Sequence, residues 1–475
     1  MNASVHTDRL IDDLKPGYID LSDRIWDMPE LRFMEEKAAA AQIEMLEAAG
    51  FRVTRNVAGI PTAFMAEAGS EGPVIGFLGE FDALAGLSQE AGIAEKRPIE
   101  TGGNGHGCGH NLLGAGAMLA AVATRDYLAE SGKSGRVRYF GCPAEEGGSG
   151  KTFMARDGAF NGLDAAFSWH PASFNSIIPS NSLANIQAYF RFSGRAAHAA
   201  ASPELGRSAL DALELMSVGT QYLREHMPEK ARIHSAITKT GGISPNVVQD
   251  HAEALYLIRS PQQSDVMALF ERVVKVAKGA AMMTETSVEV EIDKACSNLL
   301  RNTTLEELMQ AQMERIGGSD FDEDDIQYAA EIQKTLQPQD ISAVYTMFGI
   351  ERNGDTPALA GHVLPSPGAN LALPGSTDVG DASWQTPVAQ VMTACHALGT
   401  PFHSWQLVAQ GKSAVAHRGM VFAAKTMAAS AVSLFEDPAL LARAREEFEA
   451  RTQHTPYVCP IADDVELPFR RAHRD

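Results

Sequence analysis

The chain has 475 residues, 45% of them hydrophobic and 21% charged, a make-up that fits a soluble globular protein of more than one domain. Its formal net charge of -20 disfavours a nucleic-acid or anionic-membrane partner, because no basic cluster offsets it. Five scattered cysteines form no disulfide framework and fit a reducing, cytoplasmic setting. The N-terminal stretch lacks the apolar core of a signal peptide, and the longest small-apolar run, residues 112–123, is too short to span a bilayer.

Helical patterning is expected over residues 8–26 and again over 35–49, where Ala39, Ile43 and Leu46 recur at helical spacing and Gly50 stops the run. Residues 51–54 and 62–66 read as edge strands. Residues 74–79 are apolar or glycine throughout, as a central strand covered on both faces must be. A glycine-rich loop then feeds a buried helix that starts after His110 and ends near Gly132. Strands follow at 137–142, running into Pro143-Ala144-Glu145-Glu146, and at 165–169, ending at His170. The chemically interesting side chains thus lie at or just past strand ends, where sites form in open α/β sheets.

The pattern changes near Ser180. Residues 183–193 alternate like a strand with one exposed face, followed by a helix (206–225), strands (232–239 and 254–259), a helix (263–281) and a strand (287–293). That βαββαβ order is ferredoxin-like. The predicted fold class is α/β: a catalytic domain with a mostly parallel sheet flanked by helices, residues 1–182 and 298–475, interrupted by an inserted α+β domain, residues 183–297. The acidic stretch 317–325 reads as a solvated loop, and the segment from Asp437 begins helical and ends as a polar tail. No internal repeat is visible.

Gly105-His106-Gly107-Cys108-Gly109-His110 places two imidazoles and a thiol on one short glycine-rich stretch. Glycine lets the backbone turn tightly, and imidazole and thiolate are borderline-soft metal ligands. The plain alternative is a turn with incidental polar side chains. Glu145-Glu146 follows a strand and precedes Gly147-Gly148-Ser149-Gly150. Two carboxylates there can divide the work, one holding a metal and one moving a proton; such a pair can equally open a solvated helix. His170, and His403 in Pro401-Phe402-His403-Ser404-Trp405, are ambiguous when taken alone. His198, among small residues in Gly194-Arg195-Ala196-Ala197-His198-Ala199-Ala200, leaves room for a substrate or another chain, or is simply a turn histidine.

In order along the chain come His-x-Cys-Gly-His, Pro-Ala-Glu-Glu-Gly, a strand-end histidine, Gly-Arg-x-Ala-His-Ala-Ala and Gly-Gly-x-x-Pro-Asn-Val-Val. Together they resemble the aminoacylase/carboxypeptidase-type dinuclear metallopeptidases. The similarity lies in the amidohydrolase branch, with hippurate hydrolase and the indole-acetyl-amino-acid hydrolases, and spans residues 29–433. Asn111 departs from the pattern, standing where hippurate hydrolases carry aspartate.

The resemblance implies two divalent metal ions, zinc or manganese, and an inserted domain that serves as lid and dimerisation module. Carried over, the ligands are Cys108, His110, Glu146, His170 and His403, with Cys108 where other branches use a bridging aspartate. Glu145 is implied as the general base, taking a proton from the attacking water and passing it to the leaving amine. His198, supplied across a dimer, would donate to the developing oxyanion. Asn246 and Arg259 would hold a substrate carboxylate, the arginine through paired hydrogen bonds. Asp82 is expected to orient a ligand histidine, and His106 to do at most the same.

The expected function is hydrolysis of the amide bond of an N-acyl or N-aroyl amino acid, or of a dipeptide-like substrate, by a homodimer or with a hetero-partner subunit. Two alternatives stand beside it. One is a metal-dependent aminohydrolase or deaminase acting on another C–N bond. The other is a non-catalytic or partner-dependent subunit on the same fold.

Overall fold

The computed structural model of the chain describes residues 3–178, 182–352, 354, 356–366 and 375–469. Its strands are β1 (Arg52–Arg55), β2 (Phe64–Gly69), β3 (Val74–Glu80), β4 (Arg136–Cys142), β5 (Ala165–Ala172), β6 (Ser176–Ile177), β7 (Ala184–Ser193), β8 (Arg232–Lys239), β9 (His251–Ser260), β10 (Ser287–Cys296) and β11 (Val388–Ala394). They form a seven-stranded sheet, β1-β2-β4-β3-β5-β11-β6, and a four-stranded sheet, β10-β7-β9-β8.

The centre of the larger sheet is parallel: β4, β3, β5 and β11 run the same way. The flanking pairs β1–β2, β2–β4 and β11–β6 are antiparallel. Every residue of β3 and β11 is buried, which is why their sequences show no polar alternation on an exposed face. The buried helix His110–Ser131 packs among Ala3–Trp26, Ala414–Glu436 and the sheet in one core. Small residues permit the close approach: a β-carbon at Gly116 would lie 2.9 Å from Trp169 and 3.0 Å from Met420. Of the two segments expected at the sheet edge, only β1 lies there, because β2 pairs on both sides.

The four-stranded sheet is wholly antiparallel and spans Ala184 to Cys296. Helices Ala209–Leu223 and Gln263–Met283 cover one face through Leu213, Met216, Leu269 and Val273. The alternating burial of β7 follows directly from that one-sided cover. β8 is exposed along nearly its whole length and is one of the sheet's two edge strands.

Two expectations need correction. The acidic stretch is not simply a solvated loop: Glu323 to Asp325 open the helix Glu323–Gln333. Asp322 and Asp325 form a reciprocal capping box at 3.0 and 3.1 Å, and Arg418 lies 2.7 Å from Asp325. Acidic residues are stabilised there because the helix N-terminus presents unpaired N–H groups and a positive dipole end. The C-terminal segment begins helical as expected, in Pro438–Thr452, but the residues after it pack against the protein as far as Phe469, and residues 470–475 lie outside those described. Ile461 is buried, Tyr457 donates to Asp381 at 2.9 Å, and the ring of Phe469 meets that of Phe33 at 5.4 Å. Among the described residues no helix is long and apolar enough to cross a membrane.

Candidate metal centre

β3 and β4 lead into Asp82 and Glu145-Glu146, β5 carries His170, and the loop before His110 brings Cys108 beside His170. A β-carbon at Gly107 would collide with Leu87 and lie 3.3 Å from the Cα of His403, so bare backbone is needed where the two loops touch. The same contact is a hydrogen bond, His403 N to Gly107 O at 2.8 Å. Gly109 turns with φ +77°, a conformation that costs an ordinary side chain about 1–2 kcal/mol. These two glycines explain how a loop residue and one from far along the chain come together.

Three of the ligand candidates are held from behind. His110 Nδ1 donates to Asp82 Oδ1 at 2.9 Å, so Nε2 faces the cluster. The other oxygen of Asp82 accepts the backbone N–H of Glu146 at 2.9 Å. One carboxylate therefore orients two candidate ligands. His170 Nδ1 donates to Pro171 O at 2.8 Å, and its Nε2 lies 3.3 Å from Cys108 Sγ. His403 Nε2 is 3.3 Å from Glu146 Oε2, and His110 Nε2 is 4.0 Å from Glu145 Oε2. Three overlapping donor sets result: Cys108, His110, His170; Cys108, Glu146, His403; and Glu80, His110, Glu145. Within each set the donor atoms lie within 4.8 Å of one another. Cys108 belongs to two of them.

The residues present fit a cation. Buried His110 Nε2 and Glu146 Oε1 have no hydrogen-bond partner among the described residues. Leaving such atoms unsatisfied costs about 1–3 kcal/mol each, and a metal ion would satisfy both. Burial, with the charges of Glu80, Glu146 and Asp378, pushes the Glu145 carboxyl well above the usual range. Burial acts the same way on Glu146, but the hydrogen bond from His403 and the charge of His110 outweigh it and hold that carboxyl low. Burial and the nearby Glu146 push the Cys108 thiol up, and a divalent ion would favour its thiolate. The two adjacent glutamates thus have different acidities, as a division between proton carrier and ligand requires.

Three expected site residues sit elsewhere, in or beside the four-stranded sheet. His198 is exposed, and its Nδ1 accepts the backbone N–H groups of Ala200 and Ala201 at 3.2 and 3.1 Å. A bridge between His198 and Val247 brings it beside Asn246, whose carbonyl accepts Ala199 N at 2.9 Å. Arg259 lies on β9 opposite Asn185 and Arg232, with its buried Nε unpartnered among the described residues. His106 turns away from the cluster: its Nε2 donates to Ile25 O at 3.1 Å, and burial pushes its pKa down to about 4. It ties the loop to the first helix.

Several residues around the site escape sequence reasoning. Glu35 accepts the backbone N–H groups of Phe33 and Ala144 at 2.9 Å and the Thr62 hydroxyl at 2.9 Å. It thereby holds the turn in which Ala144 adopts φ +60° just before the glutamate pair. Lys151 is fully buried between Glu80 and Asp378. The signals were faint: a lysine after a glycine run, and a second acidic residue two positions before Asp82.

The profile of Peptidase family M20/M25/M40 matches residues 76–465. The chain belongs to this family. It is similar to one of the subunits of the p-aminobenzoyl-glutamate hydrolase of Escherichia coli (strain K12), 51% identical over 472 residues that cover 96% of this chain and 98% of that one. It is also similar to the Xaa-Arg dipeptidase of Mus musculus, 28% identical over 91% of this chain and 89% of that one. Among solved structures, a dinuclear metal binding peptidase of the M20 family from Bacillus subtilis superposes with a TM-score of 0.57, covering 90% of this chain and 99% of that one. At 18% identity that likeness speaks for the fold. This M20 peptidase-family chain is thus a hydrolase whose α/β architecture places a thiol, imidazoles and carboxylates at one sheet end.

Proposed function

We propose that this M20-family hydrolase cleaves the amide bond of N-acyl or N-aroyl amino acids, with aroyl-glutamates such as p-aminobenzoyl-glutamate foremost and dipeptide-like amides behind them. The observation that carries this reading is the pair of donor sets sharing Cys108, set beside a carboxyl of raised pKa, Glu145. The names of the Escherichia coli and mouse relatives support the substrate classes. Cys108, His110, His170, Glu146 and His403 would hold two divalent ions; thiolate and imidazoles suit zinc, and the carboxylate admits manganese. When bound, such ions polarise the amide carbonyl and bring the pKa of water toward neutrality.

The chain's own groups supply the rest. Glu145 takes a proton from the attacking water and hands it to the amine nitrogen as the C–N bond breaks. Because Nδ1 of His198 accepts backbone N–H groups, its proton resides on Nε2, as required of a donor to the oxyanion. Asn246, beside it, and Arg259 would grip the substrate carboxylate.

The unit at 183–297 is read as a lid and homodimerisation domain between catalytic segments 1–182 and 298–475. The open edge of β8, with Ile237 54% exposed, supports that reading. A further hetero-partner is supported by the Escherichia coli hydrolase, whose two different subunits are both similar to this chain. Five unpaired cysteines favour the cytoplasm.

The test is a panel of N-acyl, N-aroyl and dipeptide substrates under defined metal, with Glu145→Ala as control. The wild type is expected to release the free amino acid; release of ammonia instead would mean another C–N reaction. Glu145→Ala should keep its metal and lose about 10²–10⁴-fold in kcat. Near-normal turnover would remove Glu145 as the base.

A further inference from the structure

Behind the ligand candidates lies a charged group that the reading above does not use. Lys151, on the short helix Gly150–Arg156, has no exposed surface. Its Nζ lies 2.8 Å from Glu80 Oε1 and 2.5 Å from Asp378 Oδ1. Asp378 Oδ2 also accepts the backbone N–H of Lys151 at 2.8 Å. A buried lysine is costly unless its charge is matched closely, and here two buried carboxylates match it.

The other oxygen of Glu80 faces the candidate centre. Glu80 Oε2 is 3.3 Å from His110 Nε2, the nitrogen left over after Nδ1 bonds Asp82. The two atoms are close, yet Nε2 makes no hydrogen bond. Glu145 Oε2 lies 4.0 Å from the same nitrogen. Glu80, His110 and Glu145 thus offer three donor atoms within 4.8 Å of one another, a spacing that suits a shared ion.

We propose that Glu80 supplies an oxygen to the ion held by His110, and that Lys151, clamped by Asp378, is the positioning residue that keeps this oxygen turned toward it. The inference rests on the two-ion reading above. Lys151 engages one oxygen of Glu80 and leaves the other for the metal. Asp378 fixes the lysine at both its ammonium and its backbone. β3, the turn into the helix Gly150–Arg156 and the segment before β11 are thereby tied to one coordination position.

Cobalt(II) is the probe, titrated into the metal-free full-length protein by calorimetry and by its visible ligand-field and thiolate bands. The wild type should bind two ions. Glu80→Gln should bind one of them about 10–100-fold more weakly, with altered ligand-field bands, and leave the other unchanged. Lys151→Met should give the same selective loss, although its two unmatched carboxylates endanger folding. The double variant Lys151→Met/Asp378→Asn removes the clamp without changing the net buried charge, and it should show the loss in a folded protein.

Unchanged affinity and spectrum in Glu80→Gln would overturn the ligand role. Unchanged spectrum in the folded double variant would overturn the positioning role. A wild type that binds fewer than two cobalt ions would instead overturn the two-ion reading itself.

Discussion

Asp82 does more at this site than its place in the sequence suggests. One of its oxygens fixes the His110 imidazole and the other the backbone of Glu146, so a single carboxylate couples a helix start to the turn after β4. Removing its charge while keeping its shape should loosen both at once. Asp82→Asn should weaken metal binding by about 10–100-fold, measured by calorimetry, with the fold retained by circular dichroism. Wild-type affinity would show that His110 and Glu146 need no such support. Glu145 and Glu146 make a related point. They are chain neighbours of identical chemistry, and only their surroundings push their acidities apart. Neither effect can be read from a single side chain.

At the scale of elements, the helix Thr303–Ile316 shows how two helices of the chain after β10 are fastened to each other. Its first turn presents the backbone N–H groups of Thr303 and Thr304 to Glu447, at 2.8 and 2.9 Å, and Glu447 belongs to the helix Pro438–Thr452. Burial acts to raise the Glu447 pKa, but these donors outweigh it and hold the carboxyl below its usual range. The ionised form is therefore favoured by the fold. Its stabilisation is full above the ordinary glutamate pKa of about 4.3 and is lost as pH falls through the depressed folded value. Glu447→Gln should cost about 1–2 kcal/mol at neutral pH in denaturant unfolding, and the gap from wild type should narrow in acid. A gap that does not change with pH would mean the carboxylate charge is not what fastens the helix.

At the scale of the whole molecule, the role proposed for His198 requires a route to the metal centre. It is exposed, and β8, an edge strand of the four-stranded unit, leaves an open edge. If the histidine acts across a homodimer, His198→Ala and Glu145→Ala should each be inactive alone. Random reassociation of an equal mixture should then restore about a quarter of wild-type activity, because half the dimers are mixed and each has one complete site. Light scattering should show the dimer throughout. A mixture that stays inactive although subunits exchange would place His198 within its own chain's site.

The resemblance carried by the ordered motifs and the α/β class were legible in the sequence, because both reside in local patterns. The apolar run of β3 demands a doubly covered strand, and the βαββαβ periodicity read over residues 183–293 demands a separate sheet. The helix start within the acidic stretch and the packing of the residues after Thr452 were misjudged, because polarity alone does not show what a side chain meets. Asp322 meets a helix N-terminus, and Tyr457 meets Asp381. The site divides in the same way. Cys108, His110 and the glutamate pair announce themselves by spacing, but nothing local links Gly107 to His403, or Lys151 to Glu80 and Asp378. Sequence by itself determined which donors the chain possesses and the kind of sheet that carries them. Only the tertiary structure decided which donors converge, because convergence depends on bare glycine backbone at loop contacts and on buried charges that must find partners wherever the fold places them.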